Sequence, residues 1–109
     1  MQHVYYISGP MTGIAYWNAP AFVKAAETLK AEGHQVISPV DLDEEVYGVG
    51  CHYREIPNFN RADALKRDLC AILDRATAIA LLPGWECSSG AIAELAAAKA
   101  KYITEIRYL

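Results

Sequence analysis

The apolar residues of this chain fall into short β-rich runs separated by stretches with helical spacing. His3–Ile7 (His-Val-Tyr-Tyr-Ile) predicts a strand that stops at Ser8-Gly9-Pro10. Phe22, Ala25, Ala26 and Leu29 then recur every three or four residues, the stripe of an amphipathic helix. Asn18 is placed to cap it, Pro20 lies in its first turn and Gly33 ends it. Gln35–Ser38 predicts a second strand, stopped by Pro39. From Asp41 to Phe59 no period is visible. Four acids (Asp41, Asp43, Glu44, Glu45) precede Gly48, Gly50 and Pro57, and the stretch reads as a long loop of the kind used as a lid or binding element. Asn60–Arg75 is helical, with Leu65, Leu69, Ile72 and Leu73 on one face. Ala78–Leu82 is apolar without alternation, as a central parallel strand should be. Ser89–Lys101 predicts an Ala-rich helix, and Tyr102–Leu109 an edge-like last strand.

Strands separated by crossover helices give a parallel, right-handed arrangement. The expected fold is therefore α/β: a single-domain, flavodoxin-like (Rossmann-like) parallel sheet flanked by helices, with the first and third strands adjacent. Ligands of such sheets bind beyond the carboxyl ends of the strands, where the order reverses. Two segments should meet there, Ser8–Gly13 after the first strand and Pro83–Gly90 after the third.

Composition narrows the function classes. A chain of 109 residues builds one core. With 53% hydrophobic and 21% charged residues it is a folding sequence rather than a disordered one. The net charge of −3, with no basic stripe, argues against nucleic acid, and no apolar run is long enough to span a bilayer. Met1-Gln2-His3 lacks the basic start of a secretory signal. Cys51, Cys70 and Cys87 are odd in number and form no close pair, so reduced thiols and a cytoplasmic location are expected. His3, His34 and His52 lie in unrelated segments, and neither a metal nor an organic cofactor is expected.

Chemistry concentrates where an apolar strand runs through Pro83, Gly84, Trp85, Glu86 and Cys87 into Ser88-Ser89-Gly90 and a helix carrying Glu94. A helix start offers free N–H groups to an anion, although a plain serine cap is the commoner use of such residues. Glu94 has Gly90 four residues before it and Ala97 and Ala98 after it, so no cation stands at pairing distance on its own helix. It is either a surface acid favoured by the helix dipole or a reactive one. Asp68 lies at the edge of an apolar face, functional or paired with Arg67 or Arg75. Tyr6 could present its phenol to a carboxylate or pack as a strand aromatic. Trp17 and Trp85 flank the two loops and could stack on a planar ring or fill a rim. Cys87 has no histidine near it in sequence to serve as its base.

Several segments taken together carry a resemblance: Tyr5-Tyr6-Ile7-Ser8-Gly9-Pro10-Met11-Thr12-Gly13, Gly33–Pro39, Arg67-Asp68-Leu69, and Leu82–Glu86 followed by Ser88-Ser89-Gly90-Ala91 and Glu94. The chain resembles the nucleoside 2-deoxyribosyltransferase-like superfamily over nearly its whole length, residues 1–109, and within it a small phage and prophage branch. The 2′-deoxynucleoside 5′-monophosphate N-glycosidases and the CMP hydrolases of antibiotic pathways are more distant relatives.

The resemblance implies roles. Glu94 would be the catalytic nucleophile, Asp68 the acid that orients the base or passes it a proton, and Tyr6 the residue that positions Glu94. The two loops would hold the substrate: Ser8, Gly9, Pro10 and Met11 from one, Gly84, Trp85, Ser88, Ser89 and Gly90 from the other. The expected activity is cleavage or transfer at the N-glycosidic bond of a nucleoside or nucleoside 5′-monophosphate, without cofactor, in a homodimer or higher homo-oligomer. The transferases complete their site with a neighbour's C-terminal segment. This sequence stops at Leu109, which favours hydrolysis or ligand binding. The alternatives are a nucleotide-binding or sequestering protein on the same fold, of phage origin, and a structural assembly partner.

Overall fold

The computed structural model describes residues 2–109. Among these residues, four strands, β1 (Val4–Ser8), β2 (Gln35–Ile37), β3 (Ala78–Leu81) and β4 (Glu105–Tyr108), and four α-helices, α1 (Ala19–Ala31), α2 (Pro39–Tyr47), α3 (Arg61–Arg75) and α4 (Ser89–Ala100), run in the order β1-α1-β2-α2-α3-β3-α4-β4. The sheet is parallel throughout, in the order β2-β1-β3-β4. The first and third strands are adjacent, and the sequence-derived fold class holds.

The period of two along β1 divides the core. Tyr5 and Ile7 face one side with Phe22 and Leu29 of α1, whereas Tyr6 faces the other with Ile72 of α3 and Leu95 of α4. β3, buried at every position, is covered on both faces, which accounts for its unalternating sequence. Helices α3 and α4 therefore lie together over the face that receives Tyr6 and Ser8.

The main departure from the sequence reading is the stretch Asp41–Phe59, which is not one loop. Ser38, expected as the last strand residue, caps a helix by accepting from the Val40 N–H at 3.3 Å. Pro39, read as a strand stop, is the first residue of that helix, α2. A short 3₁₀ turn, Cys51–Tyr53, follows. Asn18 also behaves differently from expectation. It precedes α1 in a left-handed conformation, makes no side-chain cap, and donates from Nδ2 to the Pro10 carbonyl at 2.9 Å. In α3 the buried stripe is Ala64, Asp68, Ala71 and Ile72, while Leu73, expected inside, is half exposed. The last strand is shorter than expected, because Tyr102 turns left-handed (φ 66°) and exposed just after α4.

At the end of β1 the chain passes close to β3. A Cβ on Gly9 would sit 2.7 Å from Leu82 Cβ. Gly9→Ala is therefore expected to lose about 1–3 kcal/mol of stability through overpacking, measured as a lowered midpoint in urea. An unchanged midpoint would mean that the β1 terminus yields freely.

Candidate active site

A cleft of about 750 Å³, counted out to its open mouth, lies beyond the carboxyl ends of β1 and β2. Its walls come from the loop after β1 (Gly9, Met11, Thr12), from α2 and the turn after it (Asp43, His52), and from α3 and α4. This is where a sheet of this order reverses direction, next to β1.

Glu94 is its centre. On α4 the residues Ala91, Glu94, Leu95 and Ala98 form the core-facing stripe, so helical spacing turns the acid inward. Only 6% of Glu94 is exposed. Two β1 residues of the same parity meet it there. Tyr6 Oη donates to Glu94 Oε2 at 2.8 Å, and Ser8 Oγ donates to Oε1 at 2.5 Å. Each carboxylate oxygen is thus held by a hydroxyl from one strand face. Strand geometry sets two such hydroxyls roughly 7 Å apart at their Cα atoms.

Asp68 reaches the same place from α3. It is nine-tenths buried, it lines the cleft, and its Oδ1 has no hydrogen-bond partner among the described residues. Arg67, its sequence neighbour, pairs with Asp43 instead. Burial, then the charges of Glu94 and Asp43, push the Asp68 carboxyl up to about 8, and a hydrogen bond with Glu94 favours its protonated form further. Burial also raises Glu94, opposed by the hydrogen bonds that Ser8, Tyr6 and Asp68 give its carboxylate. The two acids consequently compete for a proton, which burial and the neighbouring charges draw toward Asp68 while the hydroxyls of Ser8 and Tyr6 favour the charged form of Glu94. Tyr6, raised well above the ordinary phenol value by burial and then by Glu94, stays a donor.

The structure brings Tyr6, Ser8, Asp68 and Glu94 into one hydrogen-bonded unit and places the expected ligand-binding residues unevenly. Gly9, Met11, Ser88 and Gly90 line the cleft, and so does Trp17. Ser8 is fully buried and its hydroxyl is committed to Glu94, so it positions the acid rather than meeting ligand. Pro10, Gly84, Trp85 and Ser89 are not on the cleft wall. Gly84 packs beside Pro10 with a left-handed φ of 88°. Trp85 lies against Tyr108, ring centroids 6.0 Å apart, and the exposed Ser89 accepts from Arg61 Nη2 at 2.9 Å. Ser88 caps α4 through the Ala91 N–H at 3.2 Å. Cys87 is exposed, away from any histidine contact.

A family model described as a domain of unknown function, DUF4406, matches residues 3–107. The chain belongs to the DUF4406 family. No curated protein matches it closely enough to lend it an activity. The DUF4406 match spans β1 to β4 and so contains the whole hydrogen-bonded unit.

Three cleft-lining residues of the DUF4406 domain, Asp43, His52 and Arg61, were given no role by the sequence reading. Arg67, expected as a partner for Asp68, pairs with Asp43 instead, at 3.1 Å. The signal for Asp43 was present: Ser38-Pro39 is a cap followed by a first-turn proline, which starts a helix and puts Asp43 in its second turn. Nothing local marked His52. Among the described residues no group of three or more His, Cys, Asp or Glu could hold a metal ion, and no helix is long and apolar enough to cross a membrane.

The support of Glu94 by Tyr6 is testable through stability. Tyr6→Phe leaves one buried carboxylate oxygen without its donor, at an expected cost of about 1–3 kcal/mol. A lower urea midpoint with an unchanged slope would report it. No loss would mean that Ser8 and Asp68 alone satisfy Glu94.

Proposed function

We propose that this DUF4406 chain breaks the N-glycosidic bond of a nucleoside or nucleoside 5′-monophosphate. The observation that carries the proposal is a buried Glu94, each oxygen held by a hydroxyl, on a cleft wall that also carries the buried Asp68, whose carboxyl burial pushes up to about 8. The resemblance to the nucleoside 2-deoxyribosyltransferase-like superfamily supports it, because Tyr6, Asp68 and Glu94 stand where those enzymes carry their reactive groups.

Cleavage of such a bond gathers positive charge at C1′ of the sugar. A Glu94 oxygen forms a bond to C1′ as the C1′–N bond breaks. The electron pair of that bond leaves with the base, which receives the Asp68 proton. Water then attacks C1′, releases Glu94 and returns a proton to Asp68. The products are the free base and the sugar or sugar phosphate; a second base in place of water would give transfer. Tyr6 and Ser8 keep Glu94 aimed at C1′ before the attack and receive its charge again on release. A 5′-phosphate finds a cation in Arg61 and free N–H groups at the α4 start, where Ser88 and Gly90 line the cleft. Remote binding of this kind helps align C1′ with Glu94. A homodimer in the cytoplasm belongs to the same reading, since the resembled enzymes share sites across subunits and the cysteines read as reduced thiols.

The test is base release, followed by liquid chromatography, from a panel of ribo- and deoxyribonucleosides and their 5′-monophosphates. Free base from the native chain, absent with Glu94→Ala, is the expected result. No base from any substrate, with thermal stabilisation by one nucleotide, would replace this proposal with a binding protein.

A further inference from the structure

One buried carboxylate on the cleft wall has no part in the chemistry above. Asp43, in the second turn of α2, is 5% exposed and lines the cleft. Its Oδ1 accepts from Arg67 Nη2 at 3.1 Å, and its Oδ2 faces His52 Nε2 at 2.9 Å. The other ring nitrogen of His52 faces Cys51 Sγ at 3.4 Å. A carboxylate gripped in this way accepts at both oxygens, and each keeps room for one more donor. Neither the half-buried Arg67 of α3 nor the His52–Cys51 pair explains why this acceptor borders a cleft.

Asp43 lines the same cleft as Asp68. Its charge acts on Asp68 and on Tyr6, and the arginine that grips it is the residue beside Asp68 in sequence. Asp68 supplies the complementary half: a nine-tenths buried acid on the same wall whose Oδ1 is without a partner among the described residues. An unpartnered buried oxygen of this kind calls for a ligand group to meet it. The remaining groups facing Asp68 are Glu94 on α4 and Tyr6 on β1. Trp17 and Phe59 line the same cleft, ring centroids 5.7 Å apart, and offer apolar faces to a planar ring.

We infer that Asp68 and Asp43 together read an amidine-like edge of the leaving base, a ring nitrogen beside an amino group, so that the base is adenine or cytosine rather than an oxo base. The inference rests on the N-glycosidase reading. Adenine presents N7 next to its 6-amino group, and cytosine presents N3 next to its 4-amino group. In each the ring nitrogen takes the Asp68 proton while the amino N–H donates to Asp43. Hypoxanthine, guanine and uracil place a carbonyl where the amino group would be. Acceptor then faces acceptor in a dry wall, and neither finds a donor.

The experiment measures base release from adenine, unsubstituted-purine, hypoxanthine, cytosine and uracil nucleosides and nucleotides. Calorimetric binding of the corresponding free bases runs alongside, with the native chain, Asp43→Asn and Asp43→Glu. The native chain is expected to prefer amino over oxo bases by at least about 100-fold, with unsubstituted purine between. Asp43→Asn can turn its amide N–H toward a carbonyl, and should narrow that preference by about tenfold or more. Asp43→Glu displaces the acceptor while keeping its charge, and serves if the asparagine variant does not fold. Base release without an amino preference, or a preference that survives both variants, overturns the inference and leaves the N-glycosidase reading standing. Absence of release from every substrate overturns that reading. Free-base binding then decides the inference alone, tighter amino bases supporting it and equal or absent binding refuting it.

Discussion

Glu94→Gln is expected to lower base release by at least about 1,000-fold while leaving the protein folded. Glutamine has the shape of glutamate but cannot carry the negative charge that meets C1′. The surrounding donors adapt to it. Tyr6 and Ser8 hydroxyls each hold one Glu94 oxygen, and a hydroxyl that donates to a carboxylate can rotate to accept from an amide. The substitution also removes a charge that burial disfavours, so thermal stability should match or exceed that of the native chain. The two readouts must separate. A variant that is inactive because it is unfolded would say nothing of chemistry, whereas a folded, inactive variant assigns the nucleophile. A folded variant that still releases base at near the native rate would sink the assignment of Glu94.

That glutamate shows what a single sequence discloses and what it conceals. Its position could be read: an apolar strand, a Ser- and Gly-rich turn and a helix placed it at the carboxyl edge of the sheet. Its burial could not, since the alanines around it carry no amphipathic contrast, and an exposed acid near a helix start fits the same letters. Tyr6 and Ser8 were visible as a strand end. That both hydroxyls serve Glu94 follows from their shared parity on β1 and from α4 lying over that face, which is a tertiary fact. Asp68 was read at the edge of a leucine stripe. The helix docks instead through Ala64 and Ala71, which turns the aspartate inward and Leu73 outward. Small residues permit that closer approach, and a pattern weighted by large side chains misses it. The Asp43–His52 wall was hidden for a local reason. Proline ends one element and begins another equally well, and Pro39 does both.

Asp68→Asn should cost base release about 100- to 10,000-fold, the usual range for a lost general acid. It should also erase the alkaline limb of the pH–rate profile. In the native chain Asp68 holds its proton up to about pH 8. Rate is therefore expected to fall above that pH, as the acid that protonates the base is lost. Asparagine has no proton to transfer, so the variant's residual rate should be flat there. Substrates whose leaving group needs no proton should lose far less than natural nucleosides, a distinction that a merely structural role would not make.

Stability gives an independent reading of the same proton. The unfolded carboxyl ionises near 3.8 and the folded one near 8, so between these values the folded chain binds the extra proton. Raising the pH across that window then draws stability down, and the favourable contribution is gone once pH passes the folded value. Asparagine removes this dependence. The variant should accordingly gain on the native chain as pH rises from 4 to 9, with little difference at the acid end. Urea midpoints across that range, set beside the pH–rate profiles, test both halves of the assignment. A variant that grows relatively weaker toward pH 9, or that keeps the alkaline limb, would show that Asp68 does not hold the proton the reaction needs.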